Sequence, residues 1–246
     1  MDEHDARDVA RRALARHGVV VLLEDNHLLG LAKPAGLLVQ GDPSGHVHLA
    51  ELVDAYRQQA EQKPGRAYVG LVHRLDRNVS GAIVVAKTSK AASRLAALFR
   101  ERDERLRKTY LAWVSGHPSE AATLRHRIRR EGGVTRLAAP GDTDGREALL
   151  SYRREGHATA CARLRVELGT GLPHQIRFQL AFAGFPLEGD VKYGGPPGKR
   201  PALHALELAF PHPVGGAPVV LHAPVPKDLR RLDKRRGIEP PLGGDA

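Results

Sequence analysis

The 246-residue sequence predicts an α+β protein built on a mostly antiparallel sheet with helices at its periphery. Strand-like runs, alternating or continuously apolar, recur along most of the chain. Segments with helical spacing are few, too few to supply the crossovers that a parallel sheet requires. A chain of this length buries a sizeable core as one larger domain, and no second domain is required.

Composition narrows the function classes. Hydrophobic residues make up 41% and charged residues 27%, as in an ordinary globular protein. The 38 Lys and Arg against 28 Asp and Glu leave a net charge of +10, which favours a polyanionic partner such as nucleic acid; a merely soluble basic protein is the plainer alternative. Cys161 is the sole cysteine, so intramolecular disulfides and cysteine-based zinc sites are excluded and a cytoplasmic setting fits. It sits in an apolar strand-like run and reads as core filling. Met1 to Gly18 lacks the apolar region of a signal peptide, and apolar runs such as Val19 to Leu23 are far too short to cross a bilayer, so no membrane partner is expected.

Taken in order, residues 4–17 alternate acids and arginines around Val9, Ala10, Leu14 and Ala15, predicting a short, mostly solvated helix stopped by Gly18. Gly18 to Glu24 and His27 to Ala32 read as a hairpin about Asp25-Asn26, closed by Lys33-Pro34-Ala35-Gly36, a rigid turn with one exposed cation. Asp42-Pro43-Ser44 offers cap chemistry ahead of a helix over 48–62 that ends before Pro64-Gly65. Leu71 to Lys87 sets His73, Arg74, Asp76 and Arg77 close together, turns at Ser80-Gly81 and leaves along a buried strand. A carboxylate between two arginines is either held ionised for attack or ligand binding, or is an ion pair that tethers a loop.

Thr88 or Ser89 caps a helix over 90–104, and Arg105 to Gly116 alternates as a strand. Residues 124–136 hold five arginines and His126 around Gly132-Gly133, a basic hairpin that either grips phosphates or is a solvated edge. Arg146 to Arg154 and Ala158 to Leu168 read as two further strands. Two glycines and Pro173 then lead into a helix containing His174, Arg177, Leu180 and Ala181, with Gly184 as its stop. Strands are expected over 201–213 and 219–226. Residues 227–236 add six basic residues against two acids, and a mobile tail is expected after them.

His73-Arg74-Leu75-Asp76, then Ser80-Gly81 and Ala86-Lys87, resembles the signature of the RluA-type pseudouridine synthases, H-R-L-D-x-x-T/V-S-G-x-x-x-x-A-K. Asp25 with Lys33-Pro34-Ala35-Gly36 resembles that family's first motif. Lys108 to Gly116 resembles K-x-Y-x-A-x-V-x-G, and Thr170 to Arg177 with Gly189-Asp190-Val-Lys-Tyr193-Gly194 resembles T-G-R-T-H-Q-I-R followed by G-D-x-x-Y-G. Leu172-Pro173 replaces the usual Arg-Thr and Gln179 the usual His, which bears on substrate contacts and on local hydrogen bonding respectively.

The resemblance covers roughly residues 20–226 and implies the pseudouridine synthase fold, a bent, mostly antiparallel mixed sheet with peripheral helices and a catalytic cleft. A short N-terminal helical extension over 1–18, a catalytic domain over 19–226 and a basic, then flexible, tail over 227–246 are the domains expected. The S4-type RNA-binding domain of many relatives has no room before the first strand.

By the same resemblance Asp76 is the catalytic residue, Arg74 fills the gap left by a flipped uridine, Tyr110 stacks on the base, Ile176 lines its pocket and Arg177 pairs with Asp76. The substrate is structured RNA, rRNA or tRNA. The reaction calls for no cofactor or metal, and a monomer is the default. Two rivals stand beside this reading. One is a non-catalytic RNA-binding or assembly protein with Asp76 as a tether. The other is a metal hydrolase using His73, His174 and His204, none of which lies at ligand-pair spacing.

Overall fold

The computed structural model describes residues 3–62, 64–101 and 103–238. In chain order the elements are α1 (Glu3–Arg16), β1 (Val20–Glu24), β2 (Leu28–Lys33), α2 (Leu49–Ala60), β3 (Gly70–Leu71), β4 (Ser80–Ala86), α3 (Ser89–Glu101), β5 (Arg107–Ser115), β6 (Ala121–Glu131), β7 (Val134–Leu137), β8 (Arg146–Ala158), β9 (Cys161–Leu168), α4 (Gln175–Phe182), β10 (Leu203–Pro211), β11 (Pro218–His222) and α5 (Lys227–Arg236). The expected α+β organisation is what the chain adopts, and the hairpins pair antiparallel. Two compact units divide it: one runs up to Leu106 and takes in Glu207–Pro224, the other holds Arg107–Leu206 with the described residues from Val225 onward.

In the first unit β2 is buried at every position and pairs antiparallel with β4, from Leu28 opposite Ala86 to Lys33 opposite Gly81. Asp25 shapes the β1–β2 turn by accepting from the backbone N–H groups of His27 (2.6 Å) and Leu28 (2.7 Å), the Asx geometry that aspartate supplies. Gly30 must be glycine, because a Cβ there would lie 2.5 Å from the Leu221 side chain on β11. β4 is buried throughout, as its Ala, Ile and Val run requires of a strand covered on both faces. Leu28, Val84, Ala86, Ala91, Leu95, Leu208, Phe210 and Leu221 form the core.

Of three local expectations in this unit, two hold and one is corrected. α1 is mostly solvated, as expected, with Ala6, Ala10 and Leu14 recurring at helical spacing as its buried face, and it packs on α2. The cap of α2 is His48, whose Nδ1 accepts from Glu51 N–H at 3.3 Å, and not the Asp42-Pro43-Ser44 stretch. Thr88 is the residue that caps α3, its Oγ1 accepting from Ala91 N–H at 3.2 Å.

In the second unit β5 pairs with β9, β9 with β8, β8 with β6 and β6 with β7, all antiparallel. Gly132 and Gly133 take positive φ at the β6–β7 turn, as that hairpin required. Residues 227–236 are not loose chain. They form α5, whose Leu229 and Leu232, with Ile238 beyond it, are buried against Leu111, Trp113, Cys161, Ala202 and Leu206. Residues 239–246 of the expected mobile tail lie outside the described residues. Cys161 fills this core as its run suggested, and burial pushes its thiol up to about 12. No helix among the described residues is long and apolar enough to cross a membrane.

Candidate active site

Asp76 sits in the first unit, on the loop between β3 and β4. Leu75 and Val79 are buried on either side of it, which leaves Arg74 and Arg77 exposed and Asp76 half-buried. The turn is not at Ser80-Gly81, which already lie in β4. It runs from Asp76 to Val79 and is closed by Val79 N–H donating to the Asp76 carbonyl at 3.0 Å.

Three side chains hold this loop. His73 Nε2 accepts from Val84 N–H at 3.1 Å, so that nitrogen carries no proton, and the ring stacks on Phe99 with centroids 4.6 Å apart. Arg77 and Gly36 exchange hydrogen bonds: Gly36 N–H donates to the Arg77 carbonyl at 2.8 Å, and Arg77 Nε donates to the Gly36 carbonyl at 3.1 Å. Lys33, expected as an exposed cation, is 1% exposed. Its Nζ donates to the carbonyls of Pro34 and Leu37, both at 2.8 Å, and of Arg77 at 3.2 Å. The Lys-Pro-Ala-Gly turn and the Asp76 loop are thereby one assembly. Lys87, the closing lysine of the same motif, is 8% exposed and pairs with Glu24 (3.3 Å) and Glu61 (2.9 Å).

Tyr110, Ile176 and Arg177 belong to the second unit. Tyr110 lies on β5, where the unbroken register with β9 puts its side chain on the face opposite Leu111 and Trp113. Ile176 and Arg177 fall in the first turn of α4 and are buried. His174 precedes that helix instead of lying in it, as its cap, with φ of 52°. Its Nδ1 is 2.8 Å from the Tyr193 hydroxyl, which also accepts from Thr135 N–H at 2.9 Å.

Arg177 is clamped by a residue to which sequence reasoning gave no role. Nε and one terminal nitrogen donate to the two oxygens of Asp190, each at 2.7 Å, and the guanidinium lies 5.1 Å from the centre of the Tyr193 ring. Such a two-pronged pair fixes the plane of the guanidinium. Asp190 and Tyr193 stand in the G-D-x-x-Y-G words, which were the available signal. Gly189 has φ of 77°, and a Cβ on it would lie 2.1 Å from the Arg200 carbonyl, so only glycine lets the chain deliver Asp190 here.

The departure at Gln179 is accommodated locally. This buried side chain donates to the carbonyls of Leu124 (3.1 Å) and Ala148 (3.2 Å) and contacts His126 Nδ1 at 3.1 Å. The loop carrying Leu172-Pro173 is tied by Gln175, whose Oε1 accepts from the Thr170 hydroxyl at 2.7 Å and from Leu172 N–H at 3.1 Å. Among the described residues no group of three or more His, Cys, Asp or Glu is arranged to hold a metal ion. His73 and His174, proposed for the hydrolase reading, each commit a ring nitrogen to a protein partner.

Residues 27–182 match the family described as RNA pseudouridylate synthase. The ribosomal large subunit pseudouridine synthase D of Xanthomonas campestris is 38% identical over 231 residues, spanning 86% of this chain and 67% of its own. Its namesake from Zymomonas mobilis is 34% identical over 234 residues, spanning 87% and 71%. The solved structure of human RNA pseudouridylate synthase domain containing 4 superposes with a TM-score of 0.78 at 22% identity, covering 97% of this chain and 99% of that one. Fold and motif-bearing elements together define an isomerase that acts on uridine in RNA. The chain belongs to the RNA pseudouridylate synthase family, as the RluA-type motifs implied.

Proposed function

We propose that this chain converts uridines of large-subunit ribosomal RNA to pseudouridine, with Asp76 as the catalytic carboxylate. The observation that carries the assignment is the anchoring of the Asp76 loop by Lys33, His73 and the Arg77–Gly36 exchange, which holds a half-buried carboxylate in one place. A catalytic group needs that pre-organisation; a surface tether does not. Ribosomal over transfer RNA, a choice the motifs left open, is favoured by the names of the similar proteins from Xanthomonas campestris and Zymomonas mobilis.

In the reaction the C1′–N1 glycosidic bond breaks, the uracil turns, and a C1′–C5 bond forms. The C5 proton is lost to solvent and N1 gains one. No electrons are transferred to another species, so no redox cofactor is called for. Asp76 acts either by covalent attack or by assisting proton removal from the ribose. Arg177, oriented by Asp190, is assigned as the partner of the ionised Asp76. Arg74 takes the place of the extruded nucleotide, whose unstacking costs roughly a few kcal/mol. Tyr110 stacks on the flipped base, an interaction worth about 1–3 kcal/mol, and Ile176 lines the pocket. A cytoplasmic monomer fits a ribosomal RNA substrate.

The test is tritium release from C5-labelled large-subunit ribosomal RNA transcribed without modification. Wild type should release tritium and Asp76→Asn should not, while both bind the transcript. Release by both proteins would remove Asp76 from catalysis. Binding without release by either would favour a non-catalytic RNA-binding protein.

A further inference from the structure

Helix α5 sorts its ten residues onto two faces. Leu229 and Leu232 are buried in the core of the second unit. Both acids have partners: Asp233 accepts from Trp113 Nε1 at 2.6 Å and pairs with Arg163 at 2.7 Å, and Asp228 pairs with Arg200 at 2.7 Å. Arg236 pairs with Glu188. The remaining residues, Lys227, Arg230, Arg231, Lys234 and Arg235, are all exposed. At 3.6 residues per turn they fall within an arc of about 140° and run about 12 Å along the helix.

Helix stability explains only part of this stripe, since Lys234 and Arg235 in the last turn suit the helix dipole but the other three cations do not. Lys227 stands at the first helical position, where the helix dipole disfavours a cation. Lys227 with Arg231, Arg230 with Lys234 and Arg231 with Arg235 are like-charge pairs four residues apart, each destabilising. A membrane surface would need apolar side chains beside the cations, and those of α5 are buried. A row of closely spaced cations with no apolar neighbour fits the phosphates of a nucleic-acid strand.

We propose that α5 is a second RNA-binding surface, which takes the phosphate backbone on the sheet face opposite Tyr110. Leu111 and Trp113 of β5 face α5 while Tyr110 faces the other way. This rests on the RNA-isomerase reading and deepens it: the substrate is a folded RNA large enough to meet both faces, not merely a short stem-loop around one uridine.

The test compares wild type with a variant carrying Arg230→Gln, Arg231→Gln, Lys234→Gln and Arg235→Gln, and with one carrying Arg230→Lys, Arg231→Lys and Arg235→Lys. Filter binding to the full large-subunit ribosomal RNA transcript is measured between about 50 and 200 mM salt. The glutamine variant should lower the slope of log K against log salt by about 3, since each phosphate contact contributes about 0.7–0.9. The lysine variant should keep the wild-type slope. The KM for tritium release on the full transcript, divided by that on a short stem-loop bearing the same uridine, should rise about tenfold in the glutamine variant. An unchanged slope overturns the proposal, as does an equal rise in KM on both substrates. If wild type releases no tritium, the isomerase reading fails while the salt slope still decides the role of α5.

Discussion

Lys33 Nζ reaches the carbonyl of Arg77, 44 residues further along the chain, at 3.2 Å from a position that is 1% exposed. A buried ammonium that serves backbone carbonyls is a strut. It joins the turn after β2 to the loop that carries Asp76, and the charge is compensated by oriented dipoles.

Replacing this strut gives the first prediction. Lys33→Met keeps a long, unbranched side chain but removes the ammonium from the carbonyls of Pro34 and Leu37, while that of Arg77 keeps only the Gly36 N–H. Stability should fall by about 2–4 kcal/mol, read from the urea midpoint, because each unsatisfied buried group costs about 1–3 kcal/mol. The kcat for tritium release should fall with it. An unchanged midpoint would mean that water replaces the ammonium.

The Glu24 cluster sets a pH dependence at both ends. Burial works to raise the Glu24 pKa, but the Tyr56 hydroxyl at 2.7 Å and Lys87 at 3.3 Å outweigh it and hold the group below its ordinary 4.5. A depressed carboxylate stabilises the fold above the unfolded value, so this contribution should fade as pH falls below 4.5. Tyr56 is pushed up to about 12 by burial and then by Glu24. A raised phenol stabilises fully below its ordinary 10.0 and loses that contribution as pH climbs to about 12. Thermal melts of Glu24→Gln should show a shallower loss at the acid end than wild type, and Tyr56→Phe a shallower loss at the alkaline end. Parallel curves would rule out the cluster as the source.

His73→Phe separates packing from hydrogen bonding. The phenyl ring can still stack on Phe99, but Val84 N–H loses its acceptor. A loss of about 1–3 kcal/mol is expected, with faster hydrogen exchange at the Val84 amide. Unaltered protection of that amide would refute the account of His73 as a loop anchor.

Asp190→Asn tests the clamp on Arg177. Asp190 is 1% exposed and binds two guanidinium nitrogens, so removing its charge leaves a buried cation short of compensation. Breaking a buried pair in this way costs about 3–5 kcal/mol. Arg177→Lys should not be tolerated either, since an ammonium cannot make the planar fork. If Arg177 positions Asp76 as proposed, both variants should lower kcat for tritium release more than they raise KM. A pure stability loss, with kcat intact in the folded fraction, would leave the clamp structural.

Much of the architecture was legible because it is written locally. The Ala, Ile and Val run of β4, the alternation of β5 and the glycines of the β6–β7 turn are properties of adjacent residues, and each element formed where expected. The motif words around Asp76, Tyr110 and Arg177 were equally local. The misreadings share one cause. Lys33 was expected in solvent, because a charged residue in a turn says nothing of which carbonyls will meet it. The basic stretch over 227–236 was read by charge, and its two leucines became informative only once a core stood beside them.

The sequence by itself determined the class of fold, the isomerase family and the residues that its motifs name, because strand periodicity, turn chemistry and motif spacing are encoded within a few positions. Tertiary structure alone decided the support: Lys33 under Arg77, Asp190 on Arg177 across 13 residues, and Asp233 on Trp113 across 120. Polar side chains find partners by proximity in the folded chain, and burial makes those pairings obligatory, since a polar group removed from water must be satisfied by whatever backbone or side chain the fold brings to it.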